Sequence, residues 1–138
     1  KNESIINDLS VKLNQFTLFL SWYKQNLNVF PVWICPYRTI RDTFFEKSNN
    51  YNIDFGIGFG NSVQFNKNHK IDENFYKKLI DNKMYELKNN KGLYSQTFLS
   101  ENKFWEIYGP YDDYKFIKDK YDPDNKFYDL YSKVVNNS

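Results

Sequence analysis

Tyr51-Asn52-Ile53-Asp54-Phe55-Gly56-Ile57-Gly58-Phe59 decides the fold class of this 138-residue chain. Ile53, Phe55 and Ile57 alternate with Asn52, Asp54 and Gly56, the two-residue period of a strand with one apolar face and one polar face. Gly56, Gly58 and Gly60 fall on one face, where glycine marks a bulge or a close approach by another group. They do not have the spacing of a dinucleotide-binding loop. Asp54 sits in the middle of an otherwise apolar run. A carboxyl group there must find donors or keep a proton, so it is either a structural hydrogen-bonding group or a functional one.

Upstream, Val29 to Pro36 is a bulky, partly β-branched run containing Pro31 and ending in Pro36, which reads as a second short strand with Pro31 at its start or on an edge. Residues 37–50 carry mixed charge without periodicity and read as a surface loop. Before them, Leu9, Leu13, Phe16, Leu20, Tyr23 and Leu27 are spaced by three or four. That spacing predicts one helix facing a core, capped by Asn7 or Asp8.

Downstream, Asp72 is a candidate cap for a helix carrying Phe75, Tyr76, Leu79, Ile80, Met84 and Leu87, with Gly92 as its stop. Leu93 to Phe98 reads as a third strand. Ser100 caps a short helix containing Phe104, Trp105, Ile107 and Tyr108, broken by Gly109-Pro110. Two closing helices follow, one with Tyr114, Ile117 and Tyr121, the other with Phe127, Leu130, Tyr131 and Val134 after the Asp122-Pro123 turn. The expected class is α+β, with a small antiparallel or mixed sheet flanked by helices and a helical C-terminus.

Composition excludes several function classes. Net charge is +2 with acids and bases interleaved, so no strong field recruits nucleic acid. The 13 Phe, 12 Tyr and 3 Trp read as core rather than as a stacking platform, which would need a basic groove beside it. The single cysteine, Cys35, precludes an internal disulfide and points to a reducing, intracellular compartment. With one His, His69, and no carboxylates at ligand spacing, no metal site is expected. No apolar run approaches the roughly 20 residues that span a bilayer. The first residue is Lys1, which suggests a piece of a longer polypeptide.

Five features in order carry a family resemblance: the first helix, Asn28-Val29-Phe30-Pro31-Val32-Trp33-Ile34-Cys35-Pro36 after it, Ile53-Asp54-Phe55-Gly56, Leu93-Tyr94, and Phe104-Trp105-Glu106-Ile107-Tyr108, while Lys120-Tyr121-Asp122-Pro123 resembles an ending seen widely among FAD-linked oxidases. Together they cover nearly the whole chain. This pattern resembles the C-terminal part of the sterol side-chain (24-dehydrocholesterol) reductases, FAD-linked oxidoreductases of the vanillyl-alcohol oxidase type.

The resemblance implies that residues 1–109 belong to a substrate (cap) domain whose sheet covers the flavin. Residues 110–138 would be C-terminal helices returning to an FAD-binding domain that precedes this stretch. FAD would carry the redox chemistry, with NADPH as a candidate reductant. The substrate would be a sterol-like or other hydrophobic alkene. The partners implied are that small molecule and the chain's own FAD-binding domain, with membrane association left open. Tyr94 is the implied catalytic residue, Asn52 and Asp54 polar contacts, and Trp33 an apolar wall. Thr97 stands where some relatives carry a lysine beside the flavin, so no lysine-dependent step is implied. A noncatalytic binding or structural remnant of the fold is the competing expectation.

Overall fold

The computed structural model describes residues 2–44, 46, 48–58, 62–64 and 74–135. Its centre is the four-stranded antiparallel sheet β3-β4-β2-β6, formed by β2 (Asn7–Lys12), β3 (Trp33–Arg38), β4 (Tyr51–Ile57) and β6 (Asn90–Lys91). A separate antiparallel pair joins β1 (Asn2–Ser4) to β5 (Ser62–Gln64). The helices are α1 (Phe16–Asn26), α2 (Phe75–Glu86), α3 (Glu101–Tyr108), α4 (Tyr111–Tyr121) and α5 (Leu130–Val135). This is an α+β fold.

The two-faced reading of β4 holds. Ile53, Phe55 and Ile57 are buried, and Phe55 is ringed by Phe19 and Tyr23, with centroids 5.1 and 4.9 Å away in edge-on geometry. Leu9 and Val11 from β2, Tyr23 from α1, and Ile80 and Met84 from α2 complete that core. Edge-to-face contacts between aromatics let large rings fill a core in a chain without alanine.

The chain before α1 differs from expectation. Residues 7–12 form β2, not the first two turns of a helix, and the helix begins only at Phe16 after a 3-10 turn over Leu13–Gln15. Asn7, Leu9 and Val11 alternate inward while Asp8 and Lys12 face outward, whereas Leu13 is 53% exposed. Pairing along six residues of β4 supplies the ladder that a helix would otherwise supply internally.

The strand-pairing pattern also explains Pro36, which lies inside β3. The Gly92 N–H donates to Asp8 O at 2.8 Å, so Asp8 and Ser10 turn their backbone groups toward β6. Alternation along antiparallel ladders then turns Leu9 and Val11 toward β4, and Asn52, Asp54 and Gly56 toward β3. Pro36 pairs with Ile53, so its missing N–H faces the free edge, where it removes a donor that another strand could use.

The third expected strand does not form: only Asn90 and Lys91 pair with β2, residues 93–95 turn, and residues 96–98 have no regular structure. A buried ion pair takes over. Lys91 Nζ lies 2.6 Å from Asp81 Oδ1, off the line of an ideal hydrogen bond, with both side chains at most 3% exposed. Asp81 Oδ2 accepts from Phe98 N–H at 2.6 Å and Thr97 Oγ1 at 3.1 Å, and Lys91 Nζ donates to Gln96 O. These side chains satisfy backbone groups that a ladder would otherwise need. Burial pushes the Lys91 ammonium below its ordinary pKa against the opposing pull of Asp81.

The helix boundaries follow local rules. Asp72, the expected cap of α2, lies outside the described residues. Glu3 of β1 reaches across instead and accepts from the N–H groups of Tyr76 and Lys77 at 3.1 and 3.0 Å, placing an anion at the positive helix end. The helix ends at Glu86 rather than at Gly92. Lys88 (φ 51°) and Asn89 close it by donating to Tyr85 O and Met84 O. Ser100, extended, does precede α3, and Gly109 (φ 116°) ends it. Across that break, Val134 of α5 is buried with Phe104 and Tyr108 of α3 in a second, smaller core. Among the described residues, no helix is long and apolar enough to cross a membrane.

Phe55 and Trp33 provide a calibrated pair. Phe55→Ala is expected to lower the unfolding free energy by about 3–5 kcal/mol, as loss of a large buried ring does. Trp33, 55% exposed, is expected to cost only about 0.5 kcal/mol on truncation. Denaturant titration of both variants checks the assignment, and equal losses would contradict it.

Candidate functional site

The register places three rows of side chains on the sheet face opposite the core. Trp33, Gly56 and Asp8 stand opposite one another across β3, β4 and β2. Cys35, Asp54, Ser10 and Asn90 form the next row, and Tyr37, Asn52 and Lys12 the third. Over this face lies a cleft of about 560 Å³ with mainly apolar walls. Asp8, Ser10 and Asp54 contribute its polar groups from the sheet, and Leu93 and Tyr108 close its other side.

The loop after β3 is pinned to the sheet by one carboxylate. Glu46 Oε1 accepts from the Tyr37 hydroxyl at 2.8 Å and from Ser10 Oγ at 3.1 Å, while Oε2 accepts from Thr39 Oγ1 at 2.8 Å. Ser10 Oγ and Tyr37 Oη are themselves 2.5 Å apart. Burial, only partly offset by the Ser10 hydrogen bond, raises the Tyr37 phenol to about 12. It stays protonated at neutral pH and serves as a donor. Tyr108 is fixed as firmly, accepting from Lys91 N–H at 3.1 Å and donating to Lys91 O at 3.0 Å.

Asp54 lines the cleft, and its carboxyl pKa is raised, chiefly by burial and secondarily by the nearby charge of Asp8. Tyr94 lies at the rim rather than on a strand and is 53% exposed. Its ring stacks so closely over Gly92 that a Cβ there would come within 2.9 Å of it. Asp8 lies close to the Tyr94 hydroxyl, and burial together with the Asp8 and Asp54 charges raises its pKa to about 12. Tyr94 itself lines a different hollow of about 400 Å³ with Asn7 and Ser95, while Asp8, close to the phenol, lines the cleft.

Two expected contacts are placed differently. Asn52 is 5% exposed and lines a smaller hollow of about 210 Å³ beside the cleft, directly opposite Tyr37 in the sheet. Trp33 shares the polar face but is more than half exposed and lines none of these cavities, because β3 is the sheet edge and nothing among the described residues covers its outer end. It is not an apolar wall in this chain. Cys35 is half-buried on the cleft wall, and His69 lies outside the described residues. Asp122, in the turn after α4, serves the fold. It pairs with Lys118 and accepts from Lys126 and Phe127 N–H, which holds its carboxyl below the usual range.

Asp8, Ser10, Tyr37 and Glu46 are the site residues that sequence reasoning misses. The first two are hidden when residues 7–12 are assigned to a helix, although Asn7-Asp8-Leu9-Ser10-Val11-Lys12 carries the same polar/apolar alternation as β4. Tyr37 and Glu46 lie in the segment that reads as loop. Among the described residues no group of His, Cys, Asp and Glu is arranged to hold a metal ion. Comparison with models of known families, with curated proteins and with solved structures gives no match for the chain.

The raised pKa of Asp54 has a definite sign for stability. The folded chain holds that proton more tightly than the unfolded chain, so stability falls as pH rises from below the ordinary carboxylate range through the raised value. Asp54→Asn removes this dependence. The variant is expected to unfold at a higher temperature than the parent at pH 7 and at the same temperature at pH 3. A difference of the same size at both pH values would contradict the assignment.

Proposed function

We propose that this chain is the substrate-covering part of an FAD-dependent oxidoreductase that reduces a carbon–carbon double bond of a sterol-like or other hydrophobic substrate. The observation that carries this reading is a mainly apolar cleft whose floor is one face of an antiparallel sheet, lined by Asp8 with the Tyr94 phenol close to that carboxyl. Such a cleft suits an apolar molecule, and its few polar groups converge at one place.

The flavin fits this chain only in part. Gly58 (φ 97°) is no phosphate cradle: a Cβ there would lie 1.6 Å from Ile5 O, so the glycine serves backbone packing between β4 and the start of the chain. The dinucleotide portion of FAD would therefore be held by polypeptide other than the residues described. What the chain offers is an open sheet face beside the cleft, with the Tyr94 hydroxyl and the Asp8 and Asp54 carboxyls as polar partners for the ring or the substrate next to it. When bound, the flavin supplies the two-electron chemistry.

The chain's residues then have separable roles. Reducing an alkene needs a proton at the carbon that does not receive the hydride equivalent. Tyr94, protonated well above neutral pH, donates it through its O–H bond, and the resulting phenolate takes a proton back from solvent, to which the half-exposed ring is open. Asp54, whose carboxyl pKa is raised by burial and by the nearby charge of Asp8, stands beside Asp8 on the cleft floor as a further polar contact. Leu93 and Tyr108 keep water from the far side of the cleft.

In the flavin-loaded protein, Tyr94→Phe is expected to slow reoxidation of the reduced flavin by substrate about 10²-fold, the usual contribution of a positioned acid. The unfolding midpoint should stay unchanged because the ring remains. Unaltered reoxidation would remove Tyr94 from the chemistry.

A further inference from the structure

Helix α4 turns one side to the body of the protein and leaves the other bare. Tyr111 and Tyr114 pack on Trp105 of α3, with ring centroids 5.2 and 4.8 Å away, and the Tyr114 hydroxyl accepts from Leu130 N–H at 2.7 Å. These contacts fix the inward side, yet the helix contributes no buried residue. With 3.6 residues per turn, Phe116 points away from both tyrosines. Phe116, Tyr121, Phe127 and Tyr128 are each 72–77% exposed, and Ile117 is about half exposed. Phe127 and Tyr128 line a groove of about 340 Å³ along α4 with Lys115 and Asp119. An aromatic side chain presents about 150–250 Å², so four of them three-quarters exposed leave on the order of 600 Å² of ring surface in water. That matches the largest apolar patches of ordinary monomers and approaches the roughly 800 Å² that one partner contributes to a standard interface.

The charges on this helix indicate what covers it. Lys115 pairs with Asp119 at 2.7 Å and Lys118 pairs with Asp122, which neutralises two of its cations within the chain. Asp112, Asp113 and Lys120 have no ion-pair partner among the described residues. Asp112, Phe116 and Lys120 stand at i, i+4 and i+8, one row along the outward face that is acidic at one end, apolar in the middle and basic at the other. Such a row is its own complement when turned end for end. Two α4 helices packed antiparallel about a two-fold axis at Phe116 place Phe116 on Phe116, and Lys120 of each copy against Asp112 and Asp113 of the other.

We infer that the outward face of α4 is a dimer interface whose occupant is a second copy of this chain, the two α4 helices lying antiparallel across a two-fold axis. The inference is independent of the cleft, to which α4 contributes no residue, and of any redox chemistry there.

Sedimentation equilibrium of the complete 138-residue chain, from micromolar to millimolar protein, tests it. The parent chain should sediment as a monomer in equilibrium with a dimer. Phe116→Ser should weaken association about 100-fold, because each dimer loses two central rings. Its unfolding midpoint, read at a concentration where the parent is monomeric, should stay unchanged because the ring lies in water there. Asp112→Lys and Lys120→Asp each turn attraction into repulsion at both ends of the two-fold contact and should weaken the dimer about tenfold. The chain carrying both reversals regains the complement and should associate more tightly than either single variant. A local effect through the helix dipole gives the opposite order, since that chain has a cation at the positive end of α4 and an anion near its negative end.

A parent chain that stays monomeric at every concentration would overturn the inference and leave the face to another polypeptide, such as a flavin-binding domain. A dimer that survives Phe116→Ser, or a doubly reversed chain no tighter than the single variants, would place the contact elsewhere and overturn it as well.

Discussion

The pairing of β2 with β4 is the constraint from which the rest of the molecule follows. Six residues of each strand are matched, Asn7 with Ile57 through Lys12 with Asn52. In this register Leu9, Val11, Ile53, Phe55 and Ile57 all turn to the buried face, while Asp8, Ser10 and Asp54 face the cleft and Asn52 the hollow beside it. A slip of one residue in either strand would send its apolar set to the solvent and its carboxyls into the aromatic core. The core therefore selects the register, and the register assembles the site. Asp8 and Asp54 come near each other because their neighbours Leu9 and Phe55 must share one buried face.

A second constraint sets the far side of the cleft. The Asp81–Lys91 pair, buried between α2 and the turn that follows β6, satisfies backbone groups of residues 96 and 98, and Tyr108 closes over Lys91. Isolated buried charges would be costly, but these two meet each other and several hydrogen-bonding groups. The turn they hold carries Gly92, Leu93 and Tyr94, the residues that bound the cleft and its rim. A regular strand over residues 93–98 would have continued along the sheet instead of folding back over Asp8.

What is legible in the sequence is what local physics decides. Alternation marks β4 because no competing period runs through Ile53, Phe55 and Ile57. Ser100 and Gly109 bracket α3 because an extended residue before a helix and a positive-φ glycine after it are local conformations, although Ser100 makes no side-chain cap hydrogen bond. The start of the chain misleads for a definite reason: Leu9 lies four residues before Leu13, which mimics a helical stripe, yet Leu9 is buried by strand pairing and Leu13 is exposed. Pairing between residues as distant in the chain as Asn7 and Ile57 leaves no local trace. The site suffers the same loss. Asp54 stands out as a carboxyl in an apolar strand, and Tyr94 through the family resemblance, but Asp8, close to both, reads as a helix cap. Trp33 looks like core by composition and is exposed because β3 is an edge.

Everything proposed for the cleft turns on residues 7–12 forming a strand paired with β4. Ser10 and Asp54 are directly opposed without exchanging hydrogen bonds, an arrangement that brings their Cα atoms to about 4.5 Å and their Hα atoms closer still. A nuclear Overhauser experiment on the labelled chain reads this contact directly. A strong Ser10 Hα to Asp54 Hα cross-peak is the expected result. Its absence, together with Asp8 Hα to Val11 amide cross-peaks typical of a helix, would contradict the register and disassemble the proposed site.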